Sequence, residues 1–289
     1  MIEHFYKVAD LVFVVRADER LDLAALLRNC EPFRVAGGEA VAVFDLYTSP
    51  VSYPEKTFLE SDDSDMGHSE LFLVNGGTHY LLELSEEGKK LGIMLCNRAF
   101  TDMEVRFNPA SPYSGLVVSS MLRIAFAQRV LAFGGISMHS STILCDGRGY
   151  MFMGKSGTGK STHTRLWMEN IPGAELLNDD NPYVRVIDGE ATVYGSPWSG
   201  KTPCYRNLSA PLGGIVRLYQ APYNRIRRTE DVDALNQVLP GCSVLRRDSA
   251  LHDMLVDNVL AMIEATTVAA LECLPDADAA RTSHEFLTR

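Results

Sequence analysis

The sequence predicts an α/β chain, with a smaller β-rich N-terminal domain (residues 1–108) ahead of an α/β domain (residues 109–289). Three observations predict it. Residues 154–161 read Gly-Lys-Ser-Gly-Thr-Gly-Lys-Ser, a full match to the phosphate-binding pattern G-x-x-x-x-G-K-[ST], between an apolar run and a helix-compatible segment. The first hundred residues carry short apolar or alternating runs separated by glycine-rich turns. Residues 116–133 are apolar at helical spacing, with Arg123, Gln128 and Arg129 as the few polar interruptions.

In chain order, the expected strands of the first domain are 11–15, 40–46, 71–74, 79–84 and 90–96. Gly37-Gly38, Asn75-Gly76-Gly77 and Glu86-Glu87-Gly88 mark hairpins between several of them. The acidic stretch Glu60-Ser61-Asp62-Asp63-Ser64-Asp65 reads as a solvated loop. Asn108-Pro109-Ala110-Ser111-Pro112 is the candidate boundary, and the 116–133 helix, ended by Gly134-Gly135, is read as a core helix of the second domain. Asp146-Gly147-Arg148-Gly149 turns the chain into a buried strand over 149–153. A helix is expected over 161–170, stopped by Pro172-Gly173, and two more over 229–239 and 249–271.

The whole-chain properties narrow the functional classes. At 289 residues the chain can bury a substantial core, and its 46% hydrophobic and 22% charged content is that of a globular protein. A formal net charge of −10 argues against a nucleic-acid partner. The six cysteines contain no C-x-x-C pair, which fits a reducing cytoplasm rather than a zinc ribbon or disulfide framework. No leader pattern opens the chain, and no apolar stretch is expected to span a bilayer, so a cytoplasmic protein without a membrane partner is expected.

The loop is where the chemistry concentrates. Gly154, Gly157 and Gly159 permit backbone angles that turn successive N–H groups inward around a polyphosphate. Lys155 adds local positive charge, and Lys160 places an ammonium where the β- and γ-phosphates of ATP would lie. Ser156, Thr158 and Thr162 complete the nucleotide cradle. Ser161 offers a hydroxyl to Mg²⁺ and opens a helix whose positive end faces the same anion.

Such a loop needs carboxylates, and Leu176-Leu177-Asn178-Asp179-Asp180 is an apolar strand ending in two acids. One acid would hold Mg²⁺ and the other accept a proton; adjacent strand residues face opposite sides unless a turn aims both inward. His139, in Met138-His139-Ser140-Ser141 at the start of the preceding strand, can hydrogen-bond the acids and tune or relay a proton. Tyr194-Gly195-Ser196-Pro197-Trp198-Ser199-Gly200-Lys201-Thr202 has the texture of a substrate-facing loop. Trp198 would offer a flat apolar face and Lys201 a charge, with a tight turn around a packed tryptophan as the alternative. Arg217 and the cluster Arg225-Ile226-Arg227-Arg228 could approach phosphates or an acidic partner, with a solvated basic face as the favoured reading, and His163 has no expected duty.

Taken together, Met138-His139-Ser140-Ser141, the 154–161 loop and Asn178-Asp179-Asp180 resemble the catalytic core of HPr kinase/phosphorylase. The loop is also similar to that of phosphoenolpyruvate carboxykinase, the other branch of the same superfamily. The resemblance covers about residues 135–220. It implies a mixed sheet wrapped by helices, ATP phosphates on the loop and Mg²⁺ near Ser161, Asp179 and Asp180. It further implies Lys160 on the transferring phosphate, one aspartate as base toward a serine-type hydroxyl, and His139 supporting it.

Two departures qualify what the resemblance implies. Thr162 stands where HPr kinases usually continue with glutamate, and their Glu-Ile-Arg-Gly-Leu-Gly signature is replaced by the 194–202 segment, as in HPr-kinase-related bacterial proteins. The expectation is therefore a Mg²⁺-dependent kinase whose hydroxyl-bearing acceptor, protein, peptide or small molecule, need not be HPr. An ATP-binding sensor without phosphoryl transfer is the alternative, and a carboxykinase-type lyase is disfavoured by chain length. HPr kinases are multimeric, which leaves a homo-oligomer open.

Overall fold

Ile2–Val8 (β1) and Leu11–Ala17 (β2) form an antiparallel hairpin closed by Ala9 and Asp10 at φ 50° and 60°. Two successive left-handed residues match the twist of flanking strands, so Val8 pairs directly with Leu11. The computed structural model describes residues 1–64, 67–200 and 202–289. It divides into two units, Met1–Arg129 with Arg246–Asp248, and Val130–Leu245 with Ser249–Arg289.

The first unit continues with a short helix Leu23–Leu26 (α1), whose N-cap Asp22 accepts from the Ala25 amide. Strands Arg34–Val35 (β3), Ala40–Tyr47 (β4), Thr57–Ser64 (β5), Gly67–Val74 (β6), His79–Glu86 (β7), Lys89–Asn97 (β8) and Asp102–Phe107 (β9) follow. They make one nine-stranded sheet in the order β3-β1-β2-β4-β9-β8-β7-β6-β5. The β2–β4 and β4–β9 pairs are parallel and the rest antiparallel, so the sheet is mixed. All five expected strands are present. The acidic stretch is corrected: Glu60 to Ser64 belong to β5, paired in register with β6. β5 is an edge strand, where outward acids stay hydrated and discourage further pairing. Asp65 lies outside the described residues.

Helix Ser114–Arg129 (α2) buries Val117, Val118, Met121, Leu122, Ala125 and Phe126 and lies against α1, β4, β8 and β9. It therefore belongs to the first unit, and the division falls at Arg129 rather than at the 108–112 punctuation. With the 3₁₀ turn Val130–Phe133, the segment Ser114–Phe133 is by length and composition long and apolar enough to cross a membrane, which the sequence reading had excluded. Its burial, 61% of that window, is that of a core helix. Arg246–Asp248 returns to this unit through Asp248, which is buried, accepts from the Tyr80 hydroxyl and pairs with Arg98 at 2.8 Å.

In the second unit, Gly135–Ser137 (β10), Ser140–Cys145 (β11), Arg148–Met153 (β12), Lys160–Asn170 (α3), Glu175–Asp180 (β13), Tyr183–Ile187 (β14) and Glu190–Tyr194 (β15) precede the long strand Ser209–Gln220 (β16). Arg225–Thr229 (β17), Asp231–Val238 (α4), Ser249–Ala265 (α5), Val268–Cys273 (β18) and Ala277–Leu287 (α6) complete it. Strand order is β10-β14-β15-β16-β12-β11-β13, with β18 pairing β16 and β17. β16 runs parallel to both β12 and β18 and antiparallel to β15, which makes this sheet mixed as well.

The expected helix over 249–271 is corrected at its end. α5 stops at Ala265, and Val268–Cys273 is a strand buried between β16 and β17. The apolar pattern runs through both elements, but β-branched Thr266, Thr267 and Val268 favour extended backbone, and two neighbouring strands satisfy it. Helices α3 and α6 cover one face of the sheet over Tyr150, Phe152, Val216, Leu218, Ala269 and Leu271. Trp167 is fully buried there, with ring centroids of Tyr150 and Phe152 at 5.2 and 5.3 Å and its indole N–H donated to Ser283 Oγ at 2.9 Å.

Candidate active site

The loop 154–159 joins the end of β12 to the start of α3, the strand–loop–helix order that a phosphate cradle requires. Gly157 and Gly159 sit at φ 79° and 106°, conformations a side chain resists. The loop is closed by Thr158, whose N–H and hydroxyl both donate to the Lys155 carbonyl at 3.1 and 2.6 Å. Gly159 is the N-cap of α3 and supplies no side-chain acceptor. The first-turn amides of α3 are thus left for an external acceptor.

Lys160 Nζ donates to the Gly154 carbonyl at 3.1 Å and lies 3.1 Å from His139 Nε2. Burial lowers its pKa, Arg217 acts in the same sense, and Asp180 and Asp179 oppose it. The carboxylates come from the end of β13, which pairs with β11 so that Ser141 faces Asp179 and Ser140 faces Asp180 in register. Asp179 is buried and accepts from Ser161 Oγ at 3.0 and 3.3 Å. Asp180 Oδ1 lies 2.9 Å from His139 Nδ1, and its Oδ2 accepts from Asn181 at 2.5 Å. A neutral imidazole protonated on Nδ1 meets both neighbours of His139, donating to Asp180 and accepting from Lys160.

Alternation would send the two acids to opposite sides of the strand. Asp180 escapes it with φ 133°, a conformation rarely held by a non-glycine residue; Asp179 meets Ser161 directly, and Asp180 meets His139, which in turn touches Lys160. The labour is divided by partner: Asp179 to Ser161, Asp180 to His139. The His139 backbone N–H is anchored on the Gly241 carbonyl at 2.7 Å. All of the expected residues Gly154, Lys155, Ser156, Gly157, Thr158, Gly159, Lys160, Ser161, Thr162, His139, Asp179 and Asp180 lie within this unit.

The 194–202 segment takes the form of the alternative reading, a turn around a packed tryptophan. Trp198 is buried at 5% exposure and its ring packs on Tyr183, centroids 5.9 Å apart, so its face is not offered to a substrate. The segment instead clamps the acids. Asn178 Nδ2 donates toward the carbonyls of Ser196, Trp198 and Cys204 at 3.4, 3.0 and 3.5 Å, and the Asp179 carbonyl accepts from Ser199 Oγ at 3.0 Å and from the Gly200 amide. The polar turn was legible; its burial was not. Lys201 lies outside the described residues.

Two clefts of about 380 Å³ each flank the loop. One is lined by Lys155, Ser156, Thr158 and Arg217, the other by Thr158, Thr162, Leu166, Leu218, Leu274 and Pro275. Arg217 was read as part of a solvated face. It stands on β16 opposite Met153 of β12, one strand away from the residue that enters the loop, and donates to the Gln237 carbonyl at 2.6 Å. A lone arginine within an apolar strand was the available signal. Arg225 does keep to the surface, paired with Glu272 at 2.6 Å. His163 is buried, 3.0 Å from Ser283 Oγ, and burial pushes its pKa down to about 4.

No family model matches the chain, and no curated protein sequence matches it. Among solved structures, it is similar to the Hpr(Ser) kinase/phosphatase from Coxiella burnetii, with 12% identity over 53% of this chain and 93% of that one and a TM-score of 0.31. That is a distant and partial likeness to an HPr kinase fold, too weak to assign a family.

Proposed function

We propose that this protein is an ATP- and Mg²⁺-dependent phosphotransferase acting on a hydroxyl of a protein, peptide or small molecule. The reading is supported most by one observation: two carboxylates converge on one glycine-rich loop, Asp179 on Ser161 and Asp180 through His139 on Lys160. The residues present fit the implied ligand. The Ser161 hydroxyl and Asp179 carboxylate are oxygen donors suited to a hard divalent cation. Uncapped α3 amides and the Lys160 ammonium suit a polyphosphate.

Bound Mg²⁺-ATP would supply the transferable phosphoryl group and neutralise charge as it moves. The rest is done by side chains. Ser161 and Asp179 would hold the metal. Lys160 and Arg217 bring positive charge to the phosphate end of the loop. Asp180 accepts the proton of the attacking hydroxyl, and His139 fixes the orientation of that carboxylate by donating through Nδ1.

The test is incubation with γ-labelled ATP, Mg²⁺ and candidate hydroxyl acceptors, alongside equilibrium ATP binding. Label on an acceptor hydroxyl that Asp180→Asn abolishes, with ATP still bound, supports the reading. ATP binding with neither transfer nor hydrolysis overturns it in favour of a nucleotide sensor.

A further inference from the structure

On the face of the second unit covered by α6, a group of ligating side chains has no part in phosphoryl transfer. Cys145 ends β11, Asp146 begins the hairpin turn to β12, and His284 lies on α6. One donor atom from each lies within 4.8 Å of the others. We propose that Cys145, Asp146 and His284 form a zinc-type cation site that ties the C-terminal helix to the β11–β12 hairpin.

Geometry and chemistry carry it together. Ligand atoms on a tetrahedral zinc stand roughly 3.3–3.8 Å apart given its usual bond lengths. The Cys145 sulfur is already 3.8 Å from Asp146 Oδ2. It also lies 3.8 Å from the Pro172 carbonyl, a long and weak contact, so the thiol is not committed to a strong acceptor. The second observation is independent. His284 Nε2 is buried with no hydrogen-bond partner among the described residues, although a buried ring nitrogen normally finds one. Its ring is held edge-on by Trp167, centroids 5.3 Å apart, which fixes the direction of that nitrogen.

Thiolate, imidazole and carboxylate together match zinc better than magnesium or calcium, which prefer oxygen alone. Asp146 is exposed and sits at φ 49°, so the cation reaches the site from solvent past a turn that aspartate tolerates. Water would take the fourth position. The site spans two segments far apart in sequence, so occupancy would stabilise the folded unit.

The probe is cobalt(II), then zinc, added to full-length protein first stripped with a chelator. One equivalent of cobalt producing a thiolate-to-cobalt charge-transfer band, displaced by zinc, is expected. Cys145→Ser should abolish the band. His284→Gln should weaken zinc binding by more than the about tenfold cost of losing an outer-shell partner. Asp179→Asn should leave both signals intact, which separates this site from the loop. His284→Gln guards against misfolding of the cysteine variant, with circular dichroism as the check. No stoichiometric binding of either metal, or a band that persists in both variants, overturns the proposal.

Discussion

His139 joins Asp180 to Lys160: its Nδ1 lies 2.9 Å from the Asp180 carboxylate and its Nε2 3.1 Å from the Lys160 ammonium. An acid and a cation on separate elements are thereby set by one ring. Asp180→Asn should lower phosphoryl transfer by roughly 10²- to 10⁴-fold, the usual contribution of a positioned base, with ATP affinity unchanged. His139→Gln should cause a smaller loss of transfer, since it removes only the group that orients the carboxylate. An Asp180→Asn enzyme with an unaltered single-turnover rate would remove Asp180 from the chemistry.

Lys160 and Asp179 should fail in different ways. Lys160→Ala removes a charged hydrogen-bond donor, so ATP should bind about tenfold or more weakly at saturating Mg²⁺. Asp179→Asn should instead raise the Mg²⁺ concentration needed for half-maximal activity. Titrating metal at fixed ATP, and ATP at fixed metal, tells the two apart. Identical profiles for both variants would count against the assigned division.

Trp167 fills the space between α3, α6 and the sheet. Trp167→Ala should destabilise the protein by about 3–5 kcal/mol, as large core truncations do. Trp167→Phe should cost less, because Ser283 Oγ loses the indole donor but keeps His163 and the Ala279 and Ala280 carbonyls. Urea unfolding followed by circular dichroism measures both, and a change under about 1 kcal/mol for alanine would be incompatible with so closed a core.

His163 links stability to pH. Its folded pKa of about 4 lies below the unfolded value near 6.5, so the unfolded chain binds the proton first as pH falls. Its stabilising contribution is whole above about pH 6.5 and disappears progressively toward pH 4, at most about 3 kcal/mol. His163→Gln should flatten the stability profile in that window. Equal slopes for the two proteins between pH 4 and 6.5 would show the ring to be indifferent.

What could be read from the chain was local. The Asp146-Gly147 turn, the glycine spacing of the loop and the apolar run into Asp179-Asp180 each lie within a few residues, and each determined its own backbone. Pairing across long separations was hidden. Strand β18 looked like the tail of α5 because the apolar pattern does not stop at Ala265. β5 looked like a loop because its edge position, which lets acids stay wet, depends on partners elsewhere. For Arg217 a phosphate contact and a solvated face stayed undecided, because nothing near it in sequence reveals that β16 runs parallel to β12. Trp198 showed the limit on the site itself: the turn around it was legible, the Tyr183 ring beneath it was not.

The amide of Asn178 has a wider consequence. By reaching three carbonyls of a segment some twenty residues downstream, it ties the acids and that segment into one mechanical unit. Insertions between Tyr194 and Cys204 would be felt first at Asn178 and the Asp179 carbonyl that the segment holds. A side chain elsewhere around the loop can change without moving either carboxylate.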